Sequence, residues 1–413
     1  MQFYDFKEIE ERVILIGVQT EQDEDVAASL DELEELAATA GAVTVGKVIQ
    51  NREAVHPGTY IGKGKIEEVA ALLAAYDANG VICDDELSPA QMNNLERELD
   101  CKVMDRTLLI LDIFAGRATT SKGKIQVELA QLRYRSARLV GLRESLSRLG
   151  GGIGTRGPGE KKLEMDRRLI KDRIAQLNRE LKEVRKHREI TRAQREKKQI
   201  PVAAIVGYTN AGKSTLLNHL TGAGVLEEDK LFATLDPTTR VLELPGRQEI
   251  LLTDTVGFIR KLPHHLIEAF KSTLEEAKYA DYILHVVDAS NPQRDKQMHI
   301  VYDTLYQLDI REKTIITLFN KQDQVTDEEP IRDFKADYTL AVSAKKGTGL
   351  EELKELFCTL LRDNKILVER TISYQEAGIL QQIRKSGELL EEEYRPEGIF
   401  IRAYVTPEIY GSL

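Results

Sequence analysis

The first hundred or so residues alternate between short apolar runs and longer amphipathic stretches. An apolar run of about four to eight residues favours a buried strand, and a longer stretch with helical spacing favours a helix. Strands that alternate with helices are typical of a parallel sheet. We therefore predict a small α/β domain over residues 1–112. Its strands are expected near residues 13–18, 43–49, 81–83 and 103–104, and its helices near 24–40, 65–76 and 89–99.

Two leucine-rich series follow, and their spacing is helical. They cover residues 125–149 and 163–184, and most of the second series keeps the strict four–three alternation of a short coiled coil. Residues 150–162, between the series, contain six glycines and one proline, which exclude a helix there. We predict a long antiparallel helical hairpin with a glycine-rich loop over residues 113–199.

Residues 200–362 contain apolar runs that end in short polar motifs. The runs at 202–206, 251–252 and 315–319 suit buried strands, and a motif follows each of them. The carboxyl ends of parallel strands meet at one edge of an open α/β sheet, which is where such sheets bind ligands. We predict a mixed sheet with helices on both faces and one composite site at that edge.

The last segment, residues 363–413, is patterned as a strand, a helix and a strand. The strands are predicted at Ile366–Ile372 and Gly398–Val405, and the helix around residues 375–389. We therefore expect a small α+β unit. Its middle is acidic, which argues against nucleic acid and for a protein partner. The acidic residues are Glu388, Glu391, Glu392 and Glu393.

The first polar motif is a phosphate-binding loop. Residues 207–214 spell GYTNAGKS, which fits the pattern G-x-x-x-x-G-K-[ST] between a predicted strand and a predicted helix. The glycines let main-chain N–H groups surround phosphate oxygens, and the helix start favours negative charge. Lys213 is expected to reach the β and γ phosphates, and the Ser214 hydroxyl to bind Mg²⁺.

Three further motifs complete a guanine-nucleotide site. A D-x-x-G runs from Asp254, expected to hold the Mg²⁺ shell, to Gly257, whose N–H would meet the γ phosphate. An N-K-x-D ends at Asp323, whose carboxylate can accept from the N1–H and the exocyclic amine of guanine. The last loop places the Ala344 N–H at guanine O6. Because adenine lacks the donor pair that Asp323 requires, we predict that the chain binds GTP.

Hydrolysis depends on the residues around the γ phosphate. Switch I is placed at residues 231–237, where Thr234 is the predicted second Mg²⁺ ligand and Thr238 and Thr239 are nearby competitors. The predicted catalytic residues are Lys213, Thr234 and Gly257.

The position after D-x-x-G is unusual. Ras-like enzymes carry a glutamine there, which orients the attacking water, whereas this chain has Phe258. A phenylalanine cannot hydrogen-bond a water. We therefore expect slow unaided turnover, with a partner or another residue completing the site.

Net charge changes sign along the chain. The whole chain carries −10, yet residues 116–200 hold 24 Lys and Arg against 10 Asp and Glu; this net +14 leaves −24 for the rest. Such asymmetry indicates a basic element attached to an acidic body. Arg148, Arg156, Lys161 and Lys162 are predicted to contact RNA phosphates, with recognition by shape and charge. A solvated linker is the alternative for the glycine-rich loop.

Composition adds few further constraints. The cysteines, Cys83, Cys101 and Cys358, are widely spaced, and the seven histidines form no ligand cluster, so we expect no metal other than Mg²⁺. Isolated thiols suit a reducing cytosol. There is no run of eighteen apolar residues and no basic and apolar signal at the start, so we expect a cytoplasmic protein without a membrane span. Nothing in the sequence requires more than a monomer.

Several segments together resemble one family. HPGTYIGKGK, the stretch ARLVGLRESLSRLGGGIGTRGPGEKKLEMDRR, GYTNAGKSTLLN, LFATLDPTTR, DTVGF and NKQD are similar to the HflX family of translational GTPases, over about residues 1–362. The resemblance implies a P-loop GTPase domain, Ser214 and Thr234 as Mg²⁺ ligands, and an apolar residue such as Phe258 in place of glutamine. It implies GTP contacts from Gly207, Tyr208, Thr209, Asn210, Ala211, Gly212, Lys213, Ser214, Thr215, Phe232, Ala233, Thr234, Leu235, Asp236, Asp254, Thr255, Val256, Gly257, Asn320, Lys321, Gln322, Asp323, Ser343, Ala344 and Lys345.

The resemblance also implies a partner. Proteins similar to this one bind the 50S ribosomal subunit and its rRNA, and in bacteria are associated with dissociating stalled or hibernating 70S ribosomes under stress. We expect GTP to order both switches, the ordered form to dock the basic hairpin in RNA, and hydrolysis to release the protein.

Two alternatives stay open. One is a GTPase that assists assembly of the large subunit, since Obg-like proteins resemble the chain around residues 232–237. The other is an RNA-binding chaperone that uses the nucleotide as a timer, with ATP binding in the N-terminal region as a further option.

Overall fold

The computed structural model describes most of the chain. Its contacts form two compact units. Unit 1 joins Met1–Val184 with Asp229–Leu235 and Arg260–Lys271, and unit 2 comprises the rest. No helix of the described part is long and apolar enough to cross a membrane. The described residues are 10–21, 25–149, 158–196, 200–222, 224, 231–232, 237–262, 276–325, 331–363 and 365–413.

Unit 1 contains a four-stranded parallel sheet with helices between its strands. The elements are β1 (Arg12–Gln19), α1 (Val26–Ala40), β2 (Val43–Asn51), α2 (Lys63–Tyr76), β3 (Gly80–Cys83), α3 (Pro89–Leu99), β4 (Lys102–Asp105) and α4 (Arg106–Arg117). The strand order is β2-β1-β3-β4. β1 and β3 are apolar and buried nearly throughout, as inner parallel strands require. Ser88 and Gln91 form a capping box that starts α3. The predicted parallel α/β sheet is confirmed.

Two long helices form the predicted antiparallel hairpin. They are α5 (Ser121–Leu149) and α6 (Pro158–Glu196). Leu129 on α5 packs with Leu177 and Leu181 on α6 in a buried cluster. Further along α5, Leu139 lines the same cleft as Leu169 and Ile170 of α6. Residue numbers therefore increase along α5 while those of the neighbouring α6 residues decrease, so the two helices are antiparallel. The two leucine series form the seam between them.

Residues 158–162 correct the sequence prediction, which placed them in the glycine-rich loop. They form the first turn of α6. Pro158 opens the helix, where its missing N–H breaks no hydrogen bond and its fixed φ suits the helix. Lys161 and Lys162 therefore lie on a helix, and Arg148 lies in the last turn of α5. Arg156 lies outside the described residues.

Unit 2 contains a six-stranded sheet in the order β10-β9-β8-β5-β7-β6, in which only the edge strand β6 is antiparallel. The elements of this part are β5 (Val202–Gly207), α7 (Lys213–Thr221), β6 (Thr238–Leu244), β7 (Gln248–Asp254), β8 (Tyr282–Asp288), α8 (Arg294–Gln307), β9 (Thr314–Asn320), β10 (Tyr338–Ala341) and α9 (Leu350–Arg362).

Helices cover both faces of this sheet. Val286 of β8 clusters with Phe357 of α9, whereas the next residue, Val287, clusters with Met298 of α8. Successive residues of a strand point to opposite faces, so α8 and α9 lie on opposite sides. The predicted mixed sheet with two covered faces is confirmed.

A three-stranded antiparallel sheet ends the chain, in the order β11-β13-β12. Its elements are β11 (Ile366–Ile372), α10 (Ala377–Ser386), β12 (Glu388–Arg395), β13 (Gly398–Val405) and α11 (Pro407–Tyr410). The prediction of a helix as far as residue 389 is wrong, because the acidic run forms β12. Gly387 separates the two elements: a Cβ there would lie 2.8 Å from Ile383 O and 2.7 Å from Tyr404 O.

Candidate nucleotide-binding site

The phosphate loop joins β5 to α7 at the carboxyl end of the unit 2 sheet. Gly212 leads into α7 with a φ of +93°, a left-handed conformation that favours glycine. A Cβ at Gly212 would also lie 2.3 Å from Asn320 Nδ2. Ala211 is buried beside it, while Asn210 is exposed. Only glycine fits at position 212, and its absent side chain lets the loop approach the N-K-x-D motif.

The Lys213 side chain is buried beneath the loop. Its Nζ donates to Tyr208 O at 2.7 Å and to Gly207 O at 3.2 Å. Burial lowers the pKa of Lys213 to about 8, against an opposing effect of Asp254. An anion at the loop would restore the preference for the charged form. The ammonium is thus placed to bind phosphate oxygens.

Ser214 and Asp254 meet beside Lys213. Ser214 Oγ, in the first turn of α7, donates to Asp254 Oδ2 at 2.9 Å, and Asp254 is fully buried at the end of β7. Hydroxyl and carboxylate oxygens are hard donors of the kind that Mg²⁺ takes together with water and phosphate. The described residues hold no group of three or more His, Cys, Asp or Glu side chains that could bind a metal ion. A magnesium ion would therefore depend on nucleotide oxygens as well as on this pair.

The D-x-x-G motif is joined to the phosphate loop by main-chain hydrogen bonds. The Phe258 N–H donates to Gly207 O at 3.1 Å, and Phe258 O accepts from the Thr209 N–H at 2.8 Å. A Cβ on Gly257 would lie 2.9 Å from Thr209 Cγ2 and 3.0 Å from Lys213 Nζ. Gly257 therefore faces the loop closely, and the buried Phe258 ring offers no hydrogen bond to the site.

Asn320 connects three of the predicted motifs. Its Nδ2 donates to Ala211 O in the phosphate loop at 2.8 Å. Its Oδ1 accepts from the Ala344 N–H at 2.8 Å, so the N–H that we expect at guanine O6 is bonded within the protein in this structure. Asn320 is buried at the end of β9. A single amide thereby fixes the spacing between the phosphate loop and the guanine loops.

Asp323 is oriented by the last loop. Ser343 Oγ donates to Asp323 Oδ1 at 2.6 Å, and this hydrogen bond lowers the pKa of Asp323. Lys321 has a left-handed φ of +62° and forms an ion pair with Asp288 at 2.7 Å. Asp323 is therefore ionised near neutral pH, with its second oxygen available to the donor edge of a guanine.

The structure describes only part of the predicted switch I. Phe232 belongs to unit 1, and residues 233–236, including Thr234, lie outside the described residues. Thr238 and Thr239 belong to β6, where Thr239 Oγ1 and Thr253 Oγ1 lie 2.9 Å apart. The remaining predicted residues lie with the motifs in unit 2: Thr215, Thr255, Val256, Gln322 and Lys345.

Sequence reasoning missed Asp288 and Lys261, which lie near the motifs along the chain. Asp288 is the last residue of the apolar strand β8, as Asp254 is of β7, so the same pattern of an apolar run that ends in an aspartate could have identified it. Thr209, by contrast, is a predicted GTP contact, and its buried Oγ1 has no hydrogen-bond partner among the described residues, which suits a ligand at the phosphate loop. Lys261, just beyond the D-x-x-G, carries no motif signal at all.

Three family descriptions match consecutive parts of the chain. Residues 27–115 match a GTP-binding GTPase N-terminal domain, and residues 117–195 match a GTP-binding GTPase middle region. Residues 202–321 match a 50S ribosome-binding GTPase domain. The phosphate loop and the D-x-x-G motif fall within the third match, which ends inside the N-K-x-D motif, and the loop at residues 343–345 follows it.

Two relatives that are similar over nearly the whole chain are both named GTPase HflX. GTPase HflX of Lacrimispora saccharolytica is 68% identical over 99% of this chain and 97% of its own length. GTPase HflX of Caldanaerobacter subterraneus is 49% identical over 98% of this chain and 93% of its own length. A solved complex of SsGBP with GDP is 26% identical, covers 84% of this chain and 98% of its own, and has a TM-score of 0.47. Because these two relatives match nearly the whole of this chain and of their own length, the chain belongs to the HflX family of GTPases.

Proposed function

We propose that the chain binds GTP with Mg²⁺ and hydrolyses it to GDP and phosphate at the unit 2 sheet edge. The observation that carries this proposal is the Asn320 amide, which bonds to both Ala211 and Ala344 and so joins the phosphate and guanine loops. Lys213 and the Ser214–Asp254 pair lie on the phosphate side of that junction.

Guanine selection is assigned to Asp323. Its carboxylate, held by Ser343, accepts from the N1–H and the exocyclic amine, a donor pair that adenine does not offer. A site built to hydrogen-bond this donor pair discriminates strongly against a base that lacks it. Asn320, Lys321, Gln322 and the 343–345 loop complete the base pocket.

Hydrolysis is assigned to Lys213, Gly257 and Thr234. Mg²⁺ at Ser214 and Thr234 would neutralise phosphate charge. Lys213 would stabilise the charge that develops between the β and γ phosphates, and the Gly257 N–H would orient the γ phosphate. Because the Phe258 ring is buried, no side chain at that position orients the attacking water. Intrinsic hydrolysis is therefore slow and leaves room for stimulation by a partner.

The partner that we propose is the large ribosomal subunit. The match to a 50S ribosome-binding GTPase domain and the two basic helices support this assignment. We assign the RNA contact to Arg148, Arg156, Lys161 and Lys162, at the end where α5 stops and α6 starts. The GTP form would dissociate stalled or hibernating 70S ribosomes under stress, and hydrolysis in the cytoplasm would recycle the protein.

The base-recognition step can be tested by a specificity switch. In Asp323→Asn, the side-chain NH₂ can donate to the 2-oxo group of xanthine but can no longer accept from the guanine amine. We expect hydrolysis of GTP to fall at least about a hundredfold and hydrolysis of XTP to appear. GTP hydrolysis that survives in Asp323→Asn, with no gain for XTP, would refute this site. RNA remodelling that survives the loss of GTP hydrolysis would favour the chaperone alternative.

A further inference from the structure

The lysine of the N-K-x-D motif is paired with a residue outside the four nucleotide motifs. Lys321 Nζ lies 2.7 Å from Asp288 Oδ2. Asp288 is the last residue of β8, and Lys321 directly follows β9. Asp288 is opposite Asn320 in the parallel pairing of these two strands, so the ion pair joins neighbouring strand ends at the carboxyl edge of the unit 2 sheet.

The Asp288 carboxylate is oriented independently of Lys321. Its Oδ1 accepts from the Ser290 N–H at 3.0 Å and from Ser290 Oγ at 2.6 Å. The next residue, Ala289, donates its N–H to Asn320 O at 2.9 Å, which ties the main chain after β8 to the end of β9. The Asp288 side chain is only 13% exposed, so solvent screens its ion pair less than it screens a surface pair. Oδ2 is thereby held facing Lys321.

Lys321 has a main-chain conformation that requires support. Its φ of +62° is left-handed, which is unfavourable for a residue with a side chain. Lys321 O accepts from the Gln324 N–H at 2.9 Å, which fixes the turn that contains Asp323. The ion pair with Asp288 fixes the other end of the lysine, its ammonium group, at the end of β8. Lys321 is therefore restrained at both its main chain and its charge.

The guanine-selecting carboxylate lies two residues further along the chain. Ser343 Oγ occupies Oδ1 of Asp323, and the second oxygen is the one assigned to guanine. Lysine carries its charge on a flexible four-carbon stem, so an ammonium that Asp288 does not hold can turn towards a carboxylate two residues away. An ion pair between Lys321 and Asp323 would compete with the guanine donors for that carboxylate.

We propose that Asp288 is a positioning residue for guanine recognition, which holds the Lys321 ammonium away from Asp323 and so leaves the Asp323 carboxylate to the N1–H and exocyclic amine of the base. This inference rests on the proposed function of the unit 2 site. GTP and GDP carry the same base, so loss of the ion pair weakens the binding of both alike. The groups assigned to hydrolysis lie on the phosphate side, so kcat at saturating GTP stays within about twofold.

Asp288→Asn tests the proposal, because it removes the charge and keeps an oxygen that can accept from Ser290. We expect the Kd for GTP and for GDP to rise about tenfold. ITP lacks the exocyclic amine and depends less on Asp323, so its Kd should rise only about threefold and the preference for GTP over ITP should fall about threefold. A merely structural role of Asp288 would weaken both nucleotides by the same factor. Competition titration against a fluorescent nucleotide measures these constants.

A double-mutant cycle separates the restraint on Lys321 from other effects of Asp288. Lys321→Met removes the competing ammonium, so adding Asp288→Asn to it should change the preference for GTP over ITP by less than about 1.5-fold. Ser290→Ala, which removes one hydrogen bond to the Asp288 carboxylate, should cause a smaller loss of preference in the same direction. It carries the test if circular dichroism shows that Asp288→Asn does not fold.

Asp309→Asn is the matched control for Asp288→Asn. It makes the same change at an exposed aspartate of unit 2, which is paired with Lys278. Its Kd values for GTP, GDP and ITP should equal those of the wild type.

Two results would overturn the inference. One is a folded Asp288→Asn protein with the wild-type preference for GTP over ITP, whether its Kd values are unchanged or raised equally. The other is a loss of preference that Asp288→Asn causes equally with and without Lys321, because the lysine would then not be the group that Asp288 controls. A wild-type protein that does not bind GTP, or binds it no better than ATP, would instead refute the proposed function.

Discussion

At the residue scale, the chemistry of the site depends on a buried ammonium group. Lys213 contacts two main-chain carbonyl oxygens and is poorly solvated, so its charged form is less favourable than that of an exposed lysine. Its pKa is lowered to about 8 from an ordinary value of 10.5. In the unfolded chain the amine holds its proton more tightly. Stability of the nucleotide-free protein should therefore rise, on this account, from about pH 8 towards pH 10.5.

Nucleotide binding should show the opposite dependence. Phosphate oxygens favour the charged form of Lys213, so binding above about pH 8 requires proton uptake. We expect the Kd for GTP and for GDP to rise about fourfold between about pH 7 and pH 8.5 at constant ionic strength. A fluorescent-nucleotide titration measures this. Lys213→Arg stays charged throughout and should show weak, pH-independent binding; an equally flat profile for the wild type would contradict the role of burial.

The residues of this site were predictable to different extents. Lys213, Ser214, Asp254 and Asp323 stand in motifs whose spacing alone indicates their chemistry. The hydrogen bonds of Asn320 to two distant loops were not predictable, because the fold and not the sequence separation sets them. The assigned roles of the individual residues remain predictions.

At the scale of elements, the hairpin is stabilised by a small leucine seam. Leu177 is fully buried against α5, whereas Leu169, on the same helix, is 62% exposed. Leu177→Ala should lower the free energy of unfolding of the hairpin by about 2–5 kcal/mol, through lost burial and a residual cavity. Leu169→Ala, with the same change in side chain, should stay within about 0.5 kcal/mol. Urea titration of the full chain measures both, and equal losses would contradict the seam.

The basic end of the hairpin should act on the ribosome and not on the nucleotide. R156A/K161A/K162A is expected to reduce stimulation of GTP hydrolysis by 50S subunits about tenfold or more, because phosphate contacts dominate such binding. Intrinsic hydrolysis should stay within about twofold, since none of these residues belongs to the nucleotide motifs.

K171A/R179A/K182A provides the matched control for that triple variant. It removes the same number of charges from exposed positions of α6. If both triple variants lose stimulation equally, bulk charge explains the effect and the assigned RNA contact is wrong. Ribosome splitting by the first variant at the wild-type level would refute the same assignment.

Element prediction succeeded where one physical signal dominated. The inner strands of the unit 1 sheet are continuous apolar runs, and β11 and β13 match their predicted bounds. It failed at residues 158–162, where proline at a helix start was interpreted as a helix breaker. Prediction also failed at β12, because its glutamates were not interpreted as a strand. Charged residues suit an exposed edge strand, but the sequence does not indicate that this segment lies at the edge of a sheet.

At the scale of the whole molecule, the chain passes repeatedly between its two units. Residues 231–232 and 260–262 come from between the nucleotide motifs, yet they group with unit 1. The division into residues 1–112, 113–199, 200–362 and 363–413 remains a prediction. A division into consecutive segments cannot include residues of the third segment that group with unit 1. The ion pairs of Lys261 with the two aspartates that follow β3, and the ring contact of Phe232 with α4, therefore had no signal in the sequence. Family membership, the fold class and the identification as a GTPase were predictable, because long motifs carry them.

The most direct test of the account is GTP hydrolysis by the purified full chain, alone and with 50S subunits or 70S ribosomes. We predict slow hydrolysis alone, because Phe258 replaces the water-orienting glutamine, and stimulation of about tenfold or more by 50S subunits. With GTP or a non-hydrolysable analogue, 70S ribosomes should convert to subunits. Hydrolysis that ribosomes do not stimulate, together with intact 70S ribosomes, would contradict the account; activity confined to immature large subunits would favour the assembly alternative.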